Sequence, residues 1–435
     1  MSAFQAPRGT RDVLAPESSH FEALVARFAD AARLAGYGLV VSPMFEDAGV
    51  FRRGVGEDSE VVTKEMYVFT DKGGRTLALR PEGTASIVRA FVQHRPPVPW
   101  KAWYVTPAFR YEAPQAGRFR QHHQLGVEAL GSEDPDLDVE VVAFLASFYA
   151  SVGLVRVELR VNSMGDSQCM PAYKEALSAY LSEHAGELCD EHRATWAKNP
   201  LRVLDCKKPE CIAVRAGAPK LSDALCGPCR DHFERFLAGL DALGVRWRRD
   251  DFLVRGLDYY TRTTFEFSAL ALDAAQNGIG GGGRYDGLVE LLGGPPTPGV
   301  GFGSGIERVL LACEAEGVLD LGESRLDVFV VDIVGGAVAR DLTHELRRSG
   351  ISADRAFDGR SLKAQIRQAD RSGARLACIV GPDEEALKTV TVRWLRGRSG
   401  EAPGSGDDAR PEGAGRLQEQ VARGALLETL GAWLR

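Results

Sequence analysis

Phe109-Arg110-Tyr111-Glu112, then Pro114-Gln115-Ala116-Gly117-Arg118, then Arg120-Gln121-His122-His123-Gln124-Leu125-Gly126-Val127-Glu128 is the stretch on which the reading of this chain turns. It reads as strand, loop, strand. Trp103, Tyr104, Val105 and Phe109 are the apolar positions before the loop, and Leu125, Val127 and Leu130 follow it. That alternation predicts a half-buried antiparallel hairpin. The hairpin places two arginines, a third basic residue and two carboxylates together. Polar groups aimed off a rigid sheet are what a site needs to hold a polyanion against a second charged substrate.

Upstream, Thr76-Leu77-Ala78-Leu79 reads as a strand running into Arg80-Pro81-Glu82-Gly83-Thr84 and a helix through Ile87, Val88 and Phe91. Pro81 and Gly83 make a sharp turn. Such a turn presents side chains to a ligand, and it equally fits a plain connector in which Thr84 caps the helix. Residues 17–36 carry Phe21, Leu24, Val25, Phe28, Ala31, Ala32 and Ala35 at helical spacing, with Gly36 as a stop. A short strand, Leu39-Val40-Val41, follows and ends at Pro43; an ordinary helix packed on a sheet has the same local pattern. Asp134 to Val152 reads as a capped core helix that implies no chemistry.

Downstream, Phe252 to Phe267 is rich in β-branched and aromatic residues and reads as strands. Gly278 to Leu288 reads as a glycine-rich loop that lets backbone approach a ligand. Without Lys-Ser or Lys-Thr it is no Walker loop, and without a surrounding βαβ unit it is no dinucleotide fingerprint. Pro298 to Leu311 reads as a glycine-rich strand entering a helix. Arg308 then falls in the first turn, where it can reach an anion; a surface arginine beside tightly packed glycines fits the same segment. His122 and His123 point to opposite faces of their strand, and neither is assigned chemistry.

At 435 residues the chain is too long for one core, so two or three domains are expected. Hydrophobic content of 44% and charged content of 26% match an ordinary soluble protein. No apolar run approaches the ~20 residues of a membrane span. The segment from Met1 to Arg8 lacks the apolar core of a signal peptide, so the cytoplasm is the expected location. A net charge of -7 is no footprint of a general nucleic-acid binder, although a local basic patch can serve RNA. Residues 165–248 differ in texture and read as an insertion. From about residue 326 strands and helices alternate, closing with a helix over 416–434. Residues 397–415 hold almost no apolar side chain and read as a flexible surface insertion.

Eight cysteines in a cytoplasmic chain are expected as free thiols or metal ligands. Cys206-x4-Cys211 and Cys226-x2-Cys229 have the spacing of a tetrahedral zinc site, with Cys189 as a spare. Free thiols in a small packed insertion are the other reading.

Five segments then occur in one order. They are Arg80 to Thr84, the hairpin, Leu253-Val254-Arg255-Gly256-Leu257-Asp258-Tyr259-Tyr260, Gly281-Gly282-Gly283-Arg284-Tyr285-Asp286-Gly287-Leu288, and Gly303-Ser304-Gly305-Ile306-Glu307-Arg308. Together they resemble the histidyl-tRNA synthetases, a class II aminoacyl-tRNA synthetase family. The hairpin resembles motif 2, the helix and strand before Pro43 motif 1, and the segment at Arg308 motif 3. The resemblance runs from Pro7-Arg8-Gly9-Thr10 into the last domain.

The resemblance implies an α+β fold: an antiparallel sheet flanked by helices, a mainly helical insertion and a C-terminal α/β anticodon-binding domain. The catalytic domain would take 1–164 and 249–322. The insertion, 165–248, would contact the tRNA acceptor arm, and 326–435 would read the anticodon. It implies ATP-dependent activation of L-histidine to histidyl-adenylate and transfer to the 3′ end of tRNA(His), by a homodimer, with ATP and Mg2+ entering as substrate. Arg110, Arg255 and Arg308 would be catalytic. Arg110, Glu112, Arg118 and Arg308 would bind ATP. Glu82, Gly83, Thr84 and Gln124 would hold the histidine ammonium, and Glu128 and Tyr260 the ring, with Tyr259 and Tyr285 lining the pocket. Without that context Tyr259 and Tyr260 also fit a core pair. The alternative is the non-catalytic regulatory subunit of ATP phosphoribosyltransferase, which shares the fold but lacks the last domain. The presence of Arg110, Arg255, Arg308 and the α/β tail favours the enzyme.

Overall fold

The chain enters through α1 (Glu17–Leu34), which buries Leu24, Phe28 and Ala32 as its apolar spacing predicts. Gly36, at φ +80°, ends the helix turn. β1 (Gly38–Leu39), β2 (Phe45–Asp47), α2 (Ala48–Val55), β3 (Val68–Thr70), β4 (Thr76–Leu79) and α3 (Thr84–His94) follow. The predicted hairpin comes next as two ten-residue strands, β5 (Trp100–Phe109) and β6 (Gln121–Leu130), paired antiparallel from Trp100↔Leu130 to Phe109↔Gln121. α4 (Pro135–Ser151) starts at Asp134, whose carboxylate accepts the Asp136 N–H. The computed structural model describes residues 4–57, 59–273, 276–318, 326–395 and 418–434.

After β7 (Val157–Ser163) five helices interrupt the sheet: α5 (Met170–Glu183), α6 (Asp190–Thr195), α7 (Leu201–Asp205), α8 (Pro209–Ala216) and α9 (Gly227–Ala242). They enclose their own buried cluster around Tyr173, Leu177, Leu204, Val214 and Leu225. α9 reaches further and lends Phe233, Phe236 and Leu240 to the main core. The sheet resumes with β8 (Arg248–Arg249), β9 (Thr261–Ala269) and β10 (Gly278–Arg284), then α10 (Leu288–Leu291), β11 (Gly299–Gly305) and α11 (Ile306–Glu316). The strand order is β1-β5-β6-β11-β10-β9-β7-β8. The six central strands pair antiparallel throughout. β2, β4 and β3 form a small second sheet.

Side-chain alternation sorts the two faces of the large sheet. Leu125, Val127 and Ala129 of β6 and Val300 and Phe302 of β11 join α1, α4 and α11 in the main core. Gln124, Gly126 and Glu128, and every odd-numbered glycine of β11, therefore look the other way. That second face carries the site.

The glycine-rich run at Gly278 is a strand, not a loop, because both its edges are paired, to β9 and to β11. Of the expected strands between Phe252 and Phe267, only Thr261 onward is a strand; Phe252 to Tyr260 is irregular and brings Arg255 to the site.

The chain divides into two compact units, Met1–Gly322 and Glu323–Arg435. In the second, β12 (Val328–Asp332), α12 (Ala337–Arg348), β13 (Ala353–Arg355), α13 (Leu362–Arg371), β14 (Leu376–Val380), α14 (Pro382–Leu387), β15 (Thr389–Trp394), β16 (Gln418–Ala422) and α15 (Leu426–Leu434) build a five-stranded sheet ordered β13-β12-β14-β15-β16. The helix expected over 416–434 is shorter, because Gln418–Ala422 pairs with β15 as an edge strand and tertiary pairing overrides local preference. The flexible stretch expected at 397–415 lies outside the described residues. Among the described residues no helix is long and apolar enough to cross a membrane.

Candidate active site

Glu128 lies at the bottom of the site, fully buried on the central strand β6. Its Oε1 accepts the Thr84 hydroxyl at 2.7 Å and the Tyr104 hydroxyl at 3.2 Å; its Oε2 accepts the Tyr285 hydroxyl at 2.5 Å. Burial pushes its pKa up to about 8, against the opposing pull of those hydroxyls. The space is made by glycine. A Cβ at Gly301 would stand 1.8 Å from Glu128 Oε2, and one at Gly126 would stand 2.2 Å from the Tyr104 ring. The alternating glycines of β11 are thus a shaped wall.

Glu82 is also buried and caps α3, accepting the Thr84 N–H at 2.6 Å and the Ala85 N–H at 2.9 Å. Burial raises its pKa. A carboxylate oxygen keeps a second lone pair, so Glu82 can also take a ligand cation. The capping atoms are therefore those of Glu82, not the Thr84 hydroxyl, which is committed to Glu128. Tyr259 packs against Tyr260 at 4.6 Å and against Tyr285 at 5.8 Å between ring centroids.

Beside this cluster opens a cleft of about 220 Å3, lined among others by Arg110, Glu112, Arg118, His122, Gln124, Arg255, Glu307 and Arg308. Each arginine is held at one end. Arg110 Nε donates to the Pro81 carbonyl at 2.8 Å, and Arg308 Nη1 to the Gly278 carbonyl at 2.8 Å. Arg255 Nη1 donates to Glu266 at 2.9 Å, and Arg118 pairs with Glu112. Among the described residues, Arg110, Arg255 and Arg308 each keep a guanidinium nitrogen with no protein hydrogen-bond partner, available to an anion. Burial alone would raise the Glu112 pKa, but the Arg118 hydrogen bond and the charges of Arg110 and Arg118 bring it below the usual carboxylate range. Burial and then the Arg110 charge lower His122 to about 4, so it faces the cleft neutral. His123 turns away, with Nδ1 2.8 Å from Glu307 and its ring edge on Phe21.

The structure thus gathers every expected site residue outside the cysteine set at this buried cluster and the cleft beside it. Sequence reading missed Tyr104, taken only as an apolar position of the hairpin. Its signal is the glycine opposite, since Tyr104 pairs in register with Gly126. It also missed Glu266, which receives both Arg255 and Arg160. Arg284, inside one of the quoted segments, does not enter the cleft. It is buried against Asp138 at 2.6 Å, and Asp138 in turn meets His232 at 2.6 Å and Thr263 at 2.8 Å. The expected zinc set of Cys206, Cys211, Cys226 and Cys229 does not converge. The first pair groups with Cys189 and His192, and the second with Cys169 and Asp166. Spacing along the chain paired the wrong halves, because each half finds partners contributed from earlier in the chain.

The histidyl-tRNA synthetase family model matches residues 9–309, and an anticodon-binding domain model matches residues 327–403. A histidine--tRNA ligase of Rhodococcus erythropolis is 48% identical over 91% of this chain and 94% of its own length. One of Mycobacterium marinum is 49% identical over 91% of this chain and 94% of its own. The structure of Staphylococcus aureus histidyl-tRNA synthetase superposes with a TM-score of 0.78 at 35% identity, covering 98% of this chain and all of that one. Some three hundred matched residues carry the pocket and the cleft together, and they place this chain in the histidyl-tRNA synthetase family.

Proposed function

We propose that the protein activates L-histidine with ATP and transfers it to the 3′ end of tRNA(His). The observation that carries this reading is the adjacency of a buried carboxylate–hydroxyl cluster, built around Glu128, and a cleft lined by four arginines. A histidine seated in the pocket directs its carboxylate into that cleft, toward the nucleotide. The carboxylate oxygen attacks the α-phosphorus, the bond to the bridging oxygen breaks, and pyrophosphate leaves with its electron pair. The tRNA 3′-terminal hydroxyl then attacks the acyl carbon and AMP departs.

Negative charge grows on the α-phosphate oxygens as the first step proceeds, and fixed cations nearby stabilise it. Arg110 and Arg255 are the groups assigned to that charge, and Arg308 to the adenine and γ-phosphate. Glu112 meets the adenine edge, and Arg118 takes the β- and γ-phosphates or the tRNA end. Mg2+ enters with ATP as part of the substrate. Glu82, Thr84 and Gln124 receive the histidine ammonium beside Gly83. Glu128 and Tyr260 take the ring nitrogens, with Tyr259 and Tyr285 as walls. A ligand unable to pair with both ring partners leaves a buried polar group unmatched, which supports selectivity without editing.

The insertion is assigned to the acceptor arm and the second unit to the anticodon. A cytoplasmic homodimer is the expected assembly. The exposed apolar side chains Leu39, Val41, Met44 and Phe45 beside the first strand support it, and light scattering should return twice the chain mass. The decisive assay is ATP–pyrophosphate exchange with each of the twenty amino acids. Exchange with histidine alone is expected. Histidine binding in calorimetry without exchange would transfer the reading to the regulatory subunit of ATP phosphoribosyltransferase.

A further inference from the structure

Six of the eight cysteines fall in the helical insertion, and all six belong to two convergent quartets with one histidine and one aspartate. Within each quartet the candidate ligand atoms lie within 4.8 Å of one another. We propose that the insertion binds two zinc ions, one held by Cys189, His192, Cys206 and Cys211, the other by Asp166, Cys169, Cys226 and Cys229.

The first quartet joins three helices. Cys189 immediately precedes α6 and His192 lies in its first turn; Cys206 follows α7, and Cys211 is on α8. His192 Nδ1 is 3.2 Å from Cys189 Sγ and 3.8 Å from Cys211 Sγ. Tetrahedral zinc with sulfur at ~2.3 Å and nitrogen at ~2.0 Å sets its ligand atoms roughly 3.5–3.8 Å apart. The atoms already stand near that separation. Three thiols and an imidazole are a borderline-soft set that selects zinc over hard cations such as magnesium or calcium.

The second quartet joins the catalytic sheet to the insertion. Asp166 follows the end of β7, and Cys169 immediately precedes α5. Cys226 immediately precedes α9 and Cys229 sits in its first turn. The Cys226 N–H donates to Cys169 Sγ at 3.1 Å, the outer-shell bond that a metal-bound thiolate accepts. Cys226 Sγ is 3.9 Å and 4.0 Å from the two Asp166 oxygens. Cys226-Gly227-Pro228-Cys229 has the spacing of a redox dithiol at a helix start. A dithiol needs no third thiol and no carboxylate aimed at it, and here both are present.

The architecture also calls for such links. α6, α7 and α8 have 6, 5 and 8 residues, too short to hold themselves. Five of the buried residues in their shared core are the cysteines of these quartets, where an apolar core would place larger side chains. Small units short of apolar core are commonly cross-linked by metal.

The test is metal analysis of the full-length, tag-free protein after dialysis, by plasma mass spectrometry. The expected result is two zinc per chain. Cys211→Ser and Cys229→Ser should each retain about one, and the double variant none. Should the variants not fold, cobalt titration of the chelated full-length protein decides alone. Two equivalents should give the intense thiolate-to-metal absorption of tetrahedral cobalt. Zinc well below one per chain with freely reacting thiols, a single equivalent, or a Cys226–Cys229 disulfide in place of metal would each overturn the proposal.

Discussion

Two arginines twenty-nine positions apart, Arg255 and Arg284, each lean on a carboxylate, and they are opposite kinds of object. Arg284 and Asp138 have no exposed side-chain surface, and all three guanidinium nitrogens of Arg284 are used: on Asp138, on Asp286 and on the Ser132 and Asp134 carbonyls. Arg255 and Glu266 keep 22% and 25% of their side-chain surface, and one nitrogen of Arg255 makes the bond. The sealed pair ties α4, β10 and the last insertion helix into one body. The open pair holds a cation at a fixed place on the wall of the cleft. Similar residue types thus give a fastener or a tool according to how many donors the protein itself consumes.

The sharpest way to break this contrast is to remove the sealed cation. Arg284→Ala leaves Asp138 buried with His232 and Thr263 as its remaining partners, and losing one member of a buried pair costs about 3–5 kcal/mol. Urea denaturation should register that loss. Unchanged stability would mean that water reaches Asp138 and that the pair is not sealed.

Arg255→Ala should do the reverse. Glu266 keeps Arg160 as a partner, so no carboxylate is left buried and unpaired, and the loss of stability should fall well short of that for Arg284→Ala. Pyrophosphate exchange should fall about 100- to 1000-fold, the usual effect of losing one donor to a developing oxyanion. Near-normal exchange, or a loss of stability comparable with Arg284→Ala, would remove Arg255 from the chemistry.

This contrast also marks what the sequence could disclose. The hairpin was legible because strand alternation leaves a direct imprint, and Arg110, Glu112 and Arg118 followed from it. The glycines of β11 were legible as a glycine-rich strand, but not as a wall, because the groups they admit, Glu128 and Tyr285, come from distant segments. Arg284 sits among cleft residues in sequence, yet its alternation along β10 and its partner on α4 send it inside. The cysteines were legible as ligands and misread as a set, since three-dimensional convergence is not contained in spacing. Tyr104 looked like one more apolar position until Glu128 stood beside it.

Between the two arginines in character lies Glu128, sealed like Asp138 but without a cation. Above about pH 8, where Glu128 is ionised in the free protein as well, Glu128→Gln keeps the shape and removes the charge a histidine N–H would meet. A charge-assisted hydrogen bond contributes about 1.5–3 kcal/mol, so the histidine KM should rise about 10- to 100-fold with the ATP KM little changed. Equal histidine constants for the two proteins would refute the ring contact.

The smallest effect is the most specific to this pocket. In the ligand-free protein, burial holds the Glu128 pKa at about 8, against 4.5 for an ordinary glutamate. Between those values the folded chain keeps a proton that the unfolded chain has released. Folding therefore binds protons, and the stability this group contributes is complete below about pH 4.5 and declines as pH rises, being lost through about pH 8. Other titrating groups act in both proteins, so the informative quantity is the stability of the wild type minus that of Glu128→Gln. That difference should fall by about 1 kcal/mol from pH 6 to pH 7, a pKa unit being worth about 1.4 kcal/mol. Denaturation curves that stay parallel across this range would mean that Glu128 is ionised in the free enzyme. The pocket would then hold a charge as Asp138 does, with hydroxyls from Thr84, Tyr104 and Tyr285 in place of an arginine.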